Sequence, residues 1–108
     1  MLLSREEYVR YEAEVVQLLR NLRPSLPTDG IKHVEYLLAV GELEMAFESL
    51  GLSLIRAEPH LKADERAELI QVGRALGLHH ESVFDSDFWP NFIAALGSDE
   101  DTIPNSAP

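Results

Sequence analysis

Apolar residues recur at helical spacing along most of the chain, and turn-forming residues separate these periodic segments. The first segment follows Ser4 and Glu7, which have the spacing of a capping box at a helix start. Proline lacks a backbone N–H and clashes with the preceding helical turn, so Pro24 and Pro27 end the segment. The pattern predicts an amphipathic helix whose apolar face consists of Tyr8, Tyr11, Val15, Leu18, Leu19 and Leu22.

Three more helices are predicted in the middle of the chain, over about residues 30–41, 42–57 and 63–76. The signals that end these three helices are, in order, Gly41, Pro59 and Gly77. The third predicted helix is apolar on more than one side, which is typical of a helix packed against several neighbours. Either a monomer core or a dimer seam would explain this pattern, so the sequence allows a monomer or a homodimer.

After His79 and His80, the pattern of apolar residues and Pro90 predicts a short turn around residues 81–84 and a last helix from about Pro90 to Gly97. Residues 98–108 contain two prolines, three acids and small polar residues, which favours disorder. No segment alternates between apolar and polar residues as a strand would. We therefore expect an all-α fold: one compact bundle of about five helices in residues 1–97 and a disordered acidic tail in residues 98–108.

The length and composition limit the possible classes of protein. A chain of 108 residues is long enough for one domain with a hydrophobic core. It contains no Cys, which excludes disulfides, thiolate metal sites and a cysteine nucleophile. No apolar run approaches the length of a membrane span, and the first residues lack the apolar stretch of a signal peptide. A cytoplasmic protein with no membrane association is the expectation.

The charge is strongly negative and unevenly distributed. Nineteen acidic residues against nine Lys and Arg give a net charge of −10. Residues 1–23 are neutral, so the excess lies on the later helices and the tail. Such a chain repels phosphate backbones and anionic lipids and attracts a basic partner. Direct binding of nucleic acid is not expected.

Motifs for catalysis, cofactors and metals are missing from the sequence. It contains neither a phosphate-binding glycine loop nor a His-Glu-x-x-His motif. The neighbouring His79 and His80 would point about 100° apart on a helix, which is poor geometry for one shared metal ion. We expect no catalytic residue, no metal site, no cofactor and no enzymatic activity.

Two groups of residues are candidates for contact with a partner protein. Glu44 and Glu48 lie one turn apart on the third helix with no cation at helical spacing, so they either await a partner's Lys or Arg or simply solvate the helix start. Asp85, Asp87 and Trp89 combine an aromatic ring with acids, as protein-binding hot spots do. The alternative for Trp89 is that it closes the end of the bundle.

The middle of the chain, over about residues 34–78, has a pattern of residues that is known from a protein family. The pattern consists of Val34, Glu35, Leu37, Leu38, Gly41, Glu42, Glu44, Ala46, Phe47, Glu48, Leu50, Leu54, Leu61, Asp64, Glu65, Leu76, Gly77 and Leu78. It resembles the Maf-type immunity proteins of bacterial polymorphic toxin systems, which are small acidic helical proteins, and Trp89 follows roughly where such chains often have a Trp.

This resemblance implies a function. An immunity protein binds the cognate toxin inside the producing cell and blocks it, and several such toxins are nucleases with basic active surfaces. Gly41, Glu42, Ala46 and Leu50 carry over as scaffold, whereas contact residues do not, because each surface is adapted to one toxin. The leading hypothesis is a toxin-neutralising immunity protein. A helical adaptor or regulatory module without a toxin partner is the alternative, and a small hydrolase is a third hypothesis.

Overall fold

The computed structural model describes residues 3–97, which contain five α-helices and one short 3-10 helix. The α-helices are α1 (Arg5–Leu22), α2 (Thr28–Ala39), α3 (Leu43–Ala57), α4 (Ala63–Ala75) and α5 (Phe88–Leu96), and the 3-10 helix spans Arg23–Ser25. Residues 3–97 contain no strand. The all-α prediction of about five helices is confirmed, whereas the predicted disordered tail, residues 98–108, lies outside the described residues.

The first helix begins and ends at the predicted signals. The Ser4 hydroxyl accepts a hydrogen bond from the Glu7 backbone N–H at 3.1 Å, and the Glu7 carboxylate accepts one from the Ser4 N–H at 3.0 Å. This capping box satisfies two donors that the helix start leaves free. The helix ends at Leu22, and Pro24 lies in the 3-10 helix that follows.

Helix α3 is the centre of the bundle. It packs against α2, α5 and α1, and its buried residues are Leu43, Ala46, Phe47, Glu48, Ser49, Leu50, Gly51, Ser53 and Leu54. Apolar residues on its other sides, Met45, Leu52 and Ile55, pack partly buried against the same core. A hydrogen-bond contact of 2.8 Å between His33 Nδ1 and the buried Ser49 hydroxyl adds a polar link between α2 and α3.

Helix α5 closes the bundle by packing aromatic rings onto two glycines. A Cβ atom at Gly51 on α3 would lie 2.5 Å from Phe88, and one at Gly73 on α4 would lie 2.6 Å from Trp89. The rings of Phe88 and Phe92 stack with their centroids 5.0 Å apart. Both glycines therefore let the ring-bearing face of α5 approach its neighbours more closely than any other residue would allow.

The chain turns from α4 into the loop before α5 through a tight cap. Gly77 has a φ of 83°, its N–H donates to the Arg74 carbonyl, and the Leu78 N–H donates to the Gly73 carbonyl. These are the two hydrogen bonds of a Schellman motif, and they confirm that the predicted signal at Gly77 ends α4. Helix α5 starts at Phe88, two residues before the predicted start at Pro90. Pro90 fits there because the first helical turn leaves its N–H groups without helical partners.

Candidate protein-binding surface

A groove with acidic side chains opens where the start of α3 faces the turn after α4. Its volume is about 480 Å³, and we call it the acidic groove. Three carboxylates line it, those of Glu42, Glu44 and Glu81, together with an apolar floor. The remaining lining residues are Met45, Leu76, Gly77, Leu78, Ser82 and Val83. A concave site with this lining suits the long stem and charged end of a Lys or Arg side chain.

The loop that borders the groove is fixed by a buried carboxylate. Glu48 has no exposed surface, and its two oxygens accept hydrogen bonds from three consecutive backbone N–H groups. The Val83 N–H donates to one oxygen at 2.5 Å, and the N–H groups of Phe84 and Asp85 donate to the other at 2.9 Å. Hydrogen bonds to an ionised acceptor are roughly twice as strong as neutral ones. Glu48 thus holds the loop against α3 across more than thirty residues of sequence.

Asp85 completes the loop and leads it into α5. Its carbonyl accepts hydrogen bonds from the Ser82 hydroxyl and from the Phe88 N–H, and its carboxylate accepts one from the Asp87 N–H at 2.9 Å. Local side-chain bonds of this kind replace the backbone pairing that a helix would provide. The segment from residue 82 to residue 88 is therefore irregular in shape and densely hydrogen-bonded.

Two large apolar side chains are exposed on this loop. Val83 is 49% exposed and Phe84 is 45% exposed, and we call this pair the 83–84 tip. The Phe84 ring lies 6.0 Å from the ring of His33 on α2. Val83 also lines the acidic groove, so apolar surface and carboxylates adjoin at this end of the molecule.

A second, smaller groove borders the same loop. It has a volume of about 270 Å³ and includes His79, His80, Trp89 and Pro90. The Nδ1 atom of His79 is buried and has no hydrogen-bond partner among the described residues. Its pKa is lowered, first by burial and then by the nearby charges of His80 and Arg74. The His79 ring lies 5.9 Å from the ring of Trp89.

The two sequence segments that line the acidic groove contain acids but no basic side chain of Lys or Arg. Residues 40–55 and 75–97 contain three acids each, hence six together, and no Lys or Arg. Within residues 3–97 the ion pairs are Arg10 with Glu14 and Arg23 with Glu35, so none involves a carboxylate of the groove.

The field of these carboxylates also reaches the α1 side of the bundle. The pKa of Tyr8 is raised by burial and by the negative charges of Glu12, Glu44 and Glu42. The Tyr8 hydroxyl donates a hydrogen bond to the Gly41 carbonyl at 2.9 Å, beside the start of α3. This hydrogen bond links α1 to the start of α3.

The structure separates the five predicted contact residues into different roles. Glu44 is partly exposed and lines the acidic groove. Asp87 is exposed at the start of α5. Asp85 is partly buried, and its backbone and carboxylate hold the loop together. Trp89 is partly buried, because its ring covers Gly73 and packs against Phe92, while one edge lines the smaller groove.

The expectation that Glu48 lies on the surface beside Glu44 is wrong. Two glutamates one turn apart occupy nearby positions on a helix, but Glu48 lies on the side of α3 that the 82–88 loop covers. Its charge is compensated by three backbone N–H groups, which explains why no cation is needed at helical spacing. Glu48 is therefore unavailable for direct contact with a partner and acts on the surface through the loop.

Sequence reasoning missed four residues that form this surface, namely Glu42, Glu81, Val83 and Phe84. The absence of Lys and Arg from residues 40–55 and 75–97 was an available signal, because these two segments come together at one end of the bundle. The exposure of the 83–84 tip had no such signal. Apolar residues next to a turn usually point into the core, and here long-range hydrogen bonds to Glu48 determine their position.

Residues 3–97 contain neither a metal-binding cluster nor a membrane-spanning helix. No group of three or more His, Asp or Glu side chains there is placed to hold a metal ion. None of the helices in that range has the length and apolar character needed to cross a membrane.

Comparison with known proteins identified no relative of this chain. No protein-family model matches the chain, and no curated protein or solved structure was found to be similar to it. The resemblance to Maf-type immunity proteins therefore remains a prediction from the residues of the sequence.

Proposed function

We propose that this protein is a non-enzymatic immunity protein, which binds a cognate bacterial toxin in the cytoplasm of the producing cell and covers the toxin's basic active surface. The observation that carries the proposal is the acidic groove, whose three carboxylates have no cationic partner within the described residues. The resemblance over residues 34–78 supplies the class of partner.

The charge distribution supports fast and selective association. A cleft that presents charges of one sign attracts oppositely charged partners and can raise association rates by about 10- to 1,000-fold at low salt. The groove carboxylates lie at the end of the bundle that has no Lys or Arg in its two sequence segments. A toxin that binds nucleic acid has the complementary basic surface.

Occlusion requires more surface than the groove alone. A specific interface buries about 800 Å² on each partner, with an apolar centre and a polar rim. The groove, the 83–84 tip and the start of α3 adjoin, so they supply charged and apolar area side by side. A toxin seated on this end would have its substrate groove filled by the carboxylates.

Co-expression with the toxin encoded beside its gene tests the proposal. We expect the wild-type chain to restore growth and the double variant E44K/E81K to lose most of this protection, because its groove then repels a basic toxin. Glu68 on α4 does not line the groove, so E68K is the matched control and should protect like the wild type.

Growth that is no better with the chain than without it would contradict the proposal. The same surface would then belong to the alternative class, a helical adaptor or regulatory module with an ordinary cellular partner. Equal protection by E44K/E81K and the wild type would show that the groove is not the contact surface.

A further inference from the structure

The 83–84 tip is an apolar surface that the fold keeps exposed. Val83 and Phe84 are adjacent in sequence and each exposes nearly half of its surface, although Phe88 and Phe92 of α5 are fully buried. A flexible loop could turn such side chains inward to remove them from water. Here three consecutive N–H groups are bound to Glu48, which fixes the backbone that carries both side chains.

We propose that the 83–84 tip is the apolar anchor of the binding surface, that Glu48 is the positioning residue that holds it ready, and that it fits a partner protein with an apolar pocket bordered by Lys or Arg. This inference rests on the proposed function, since it assigns the contact that the acidic groove alone does not provide. It adds a chemical description of the partner: basic groups for the groove, and beside them a pocket for one aliphatic and one aromatic side chain.

A loop that is already ordered before the partner binds favours association. An interface side chain that is ordered only on association loses conformational entropy, and a loop loses more. Glu48 accepts its three hydrogen bonds from the loop, and Asp85 accepts further ones from Ser82, Asp87 and Phe88. Together these hydrogen bonds fix the loop before any partner arrives. Aromatic residues on a fixed backbone are typical of binding hot spots.

Charge complementarity selects the partner. Val83 adjoins the groove that contains Glu42, Glu44 and Glu81, and Asp85 and Asp87 follow in the loop. A second copy of this chain, with its own charge of −10, would bring like charges together at this surface. A basic protein gains attraction at the same place, so it is the occupant that the surface fits.

Exposed apolar residues elsewhere provide a control. Val9 on α1 and Tyr36 on α2 are 55% and 63% exposed, more than the tip residues. They lie on helix faces and do not line the acidic groove. If exposure alone attracted partners, these residues would contribute as much as the tip.

A displayed library of random peptides, selected on the immobilised full-length chain, tests the inference without a known partner. We expect enriched peptides to combine a large apolar residue with at least two Lys or Arg residues. The V83S/F84S variant should bind them at least about tenfold more weakly, while V9S/Y36S should bind them like the wild type. No enrichment, enrichment of peptides without cations, or equal binding by V83S/F84S would overturn the inference.

The E48Q variant tests the positioning role separately. Amide hydrogen exchange should accelerate more at residues 83–85 than in the helices, and peptide association should slow. If exchange accelerates equally in all helices, V83S/F84S still tests the anchor, because both of its substitutions lie at exposed positions. Unchanged exchange at residues 83–85 would remove Glu48 from this role.

The two proposals fail in different ways. Toxin protection that survives in V83S/F84S would contradict the anchor and leave the immunity function in place. Peptide binding that depends on the tip, without any protection from the toxin, would contradict the immunity function and leave the docking surface in place.

Discussion

Replacement of Glu48 by Gln should destabilise the fold far more than a conservative change usually does. The Glu48 carboxylate offers two acceptor oxygens to three N–H groups, whereas an amide has one oxygen and an NH₂ group that cannot accept. With its oxygen towards Phe84 and Asp85, Gln keeps two bonds in weaker neutral form and turns a donor towards the Val83 N–H.

The magnitude follows from these changes. Hydrogen bonds to a charged group contribute about 1.5–3 kcal/mol and neutral ones about 0.5–1.5, and a buried N–H without a partner costs about 1–3 kcal/mol. The amide is less costly to bury than the carboxylate, which offsets part of the loss. We expect E48Q to lower the free energy of unfolding by about 2–4 kcal/mol, equivalent to about 10–25 °C in Tm.

Urea unfolding followed by circular dichroism measures this loss, and E44Q is the matched control. Glu44 lies one turn earlier on α3 and is partly exposed, so its change should stay within about 0.5 kcal/mol of the wild type. A loss for E48Q as small as that for E44Q would refute the role assigned to the buried carboxylate.

Three further predictions concern other parts of the fold. G51A should lower the free energy of unfolding, measured in urea, by about 1–2 kcal/mol. A Cβ at this position would lie 2.5 Å from Phe88, and the gain in helix propensity offsets only part of the clash. Equal stability of G51A and the wild type would refute the close packing. The pKa of Tyr8 is raised above 10.0, so the folded state keeps this proton longer than the unfolded state and loses stability as the pH rises past 10.0. An ultraviolet titration should show a tyrosine ionisation above pH 10.0 that is missing in Y8F; the same titration curve per tyrosine in Y8F and the wild type would contradict this. The pKa of His79 is lowered below 6.5, so the free energy of unfolding should fall as the pH drops from about 7.5 to about 5.5. Urea unfolding at both pH values should show a smaller fall in H79Q than in the wild type. The same pH dependence in both proteins would count against this prediction.

The helices were predictable because local signals determine them. The Ser4 capping box, the prolines after α1 and the Gly77 cap each act over a few residues, so the sequence shows them directly. The central place of α3 followed from its apolar residues on several sides. Such signals depend on backbone geometry and burial, which are properties of short segments.

The binding surface was only partly predictable because long-range contacts form it. Glu44 was placed correctly at the surface from its helix position, but Glu48 is bound to N–H groups more than thirty residues away. No spacing rule connects a helix carboxylate to a distant irregular loop. The same contact decides that Val83 and Phe84 are exposed, which their apolar character argued against.

The most direct test of the central claim is a hydrogen-exchange footprint of the chain bound to the toxin encoded beside its gene. We expect slower exchange on binding in residues 41–48 and 78–87, the segments of the acidic groove and the loop, with little change in α1 and in the middle of α2. Protection confined to α1 and α2, or no complex at low salt, would contradict the account.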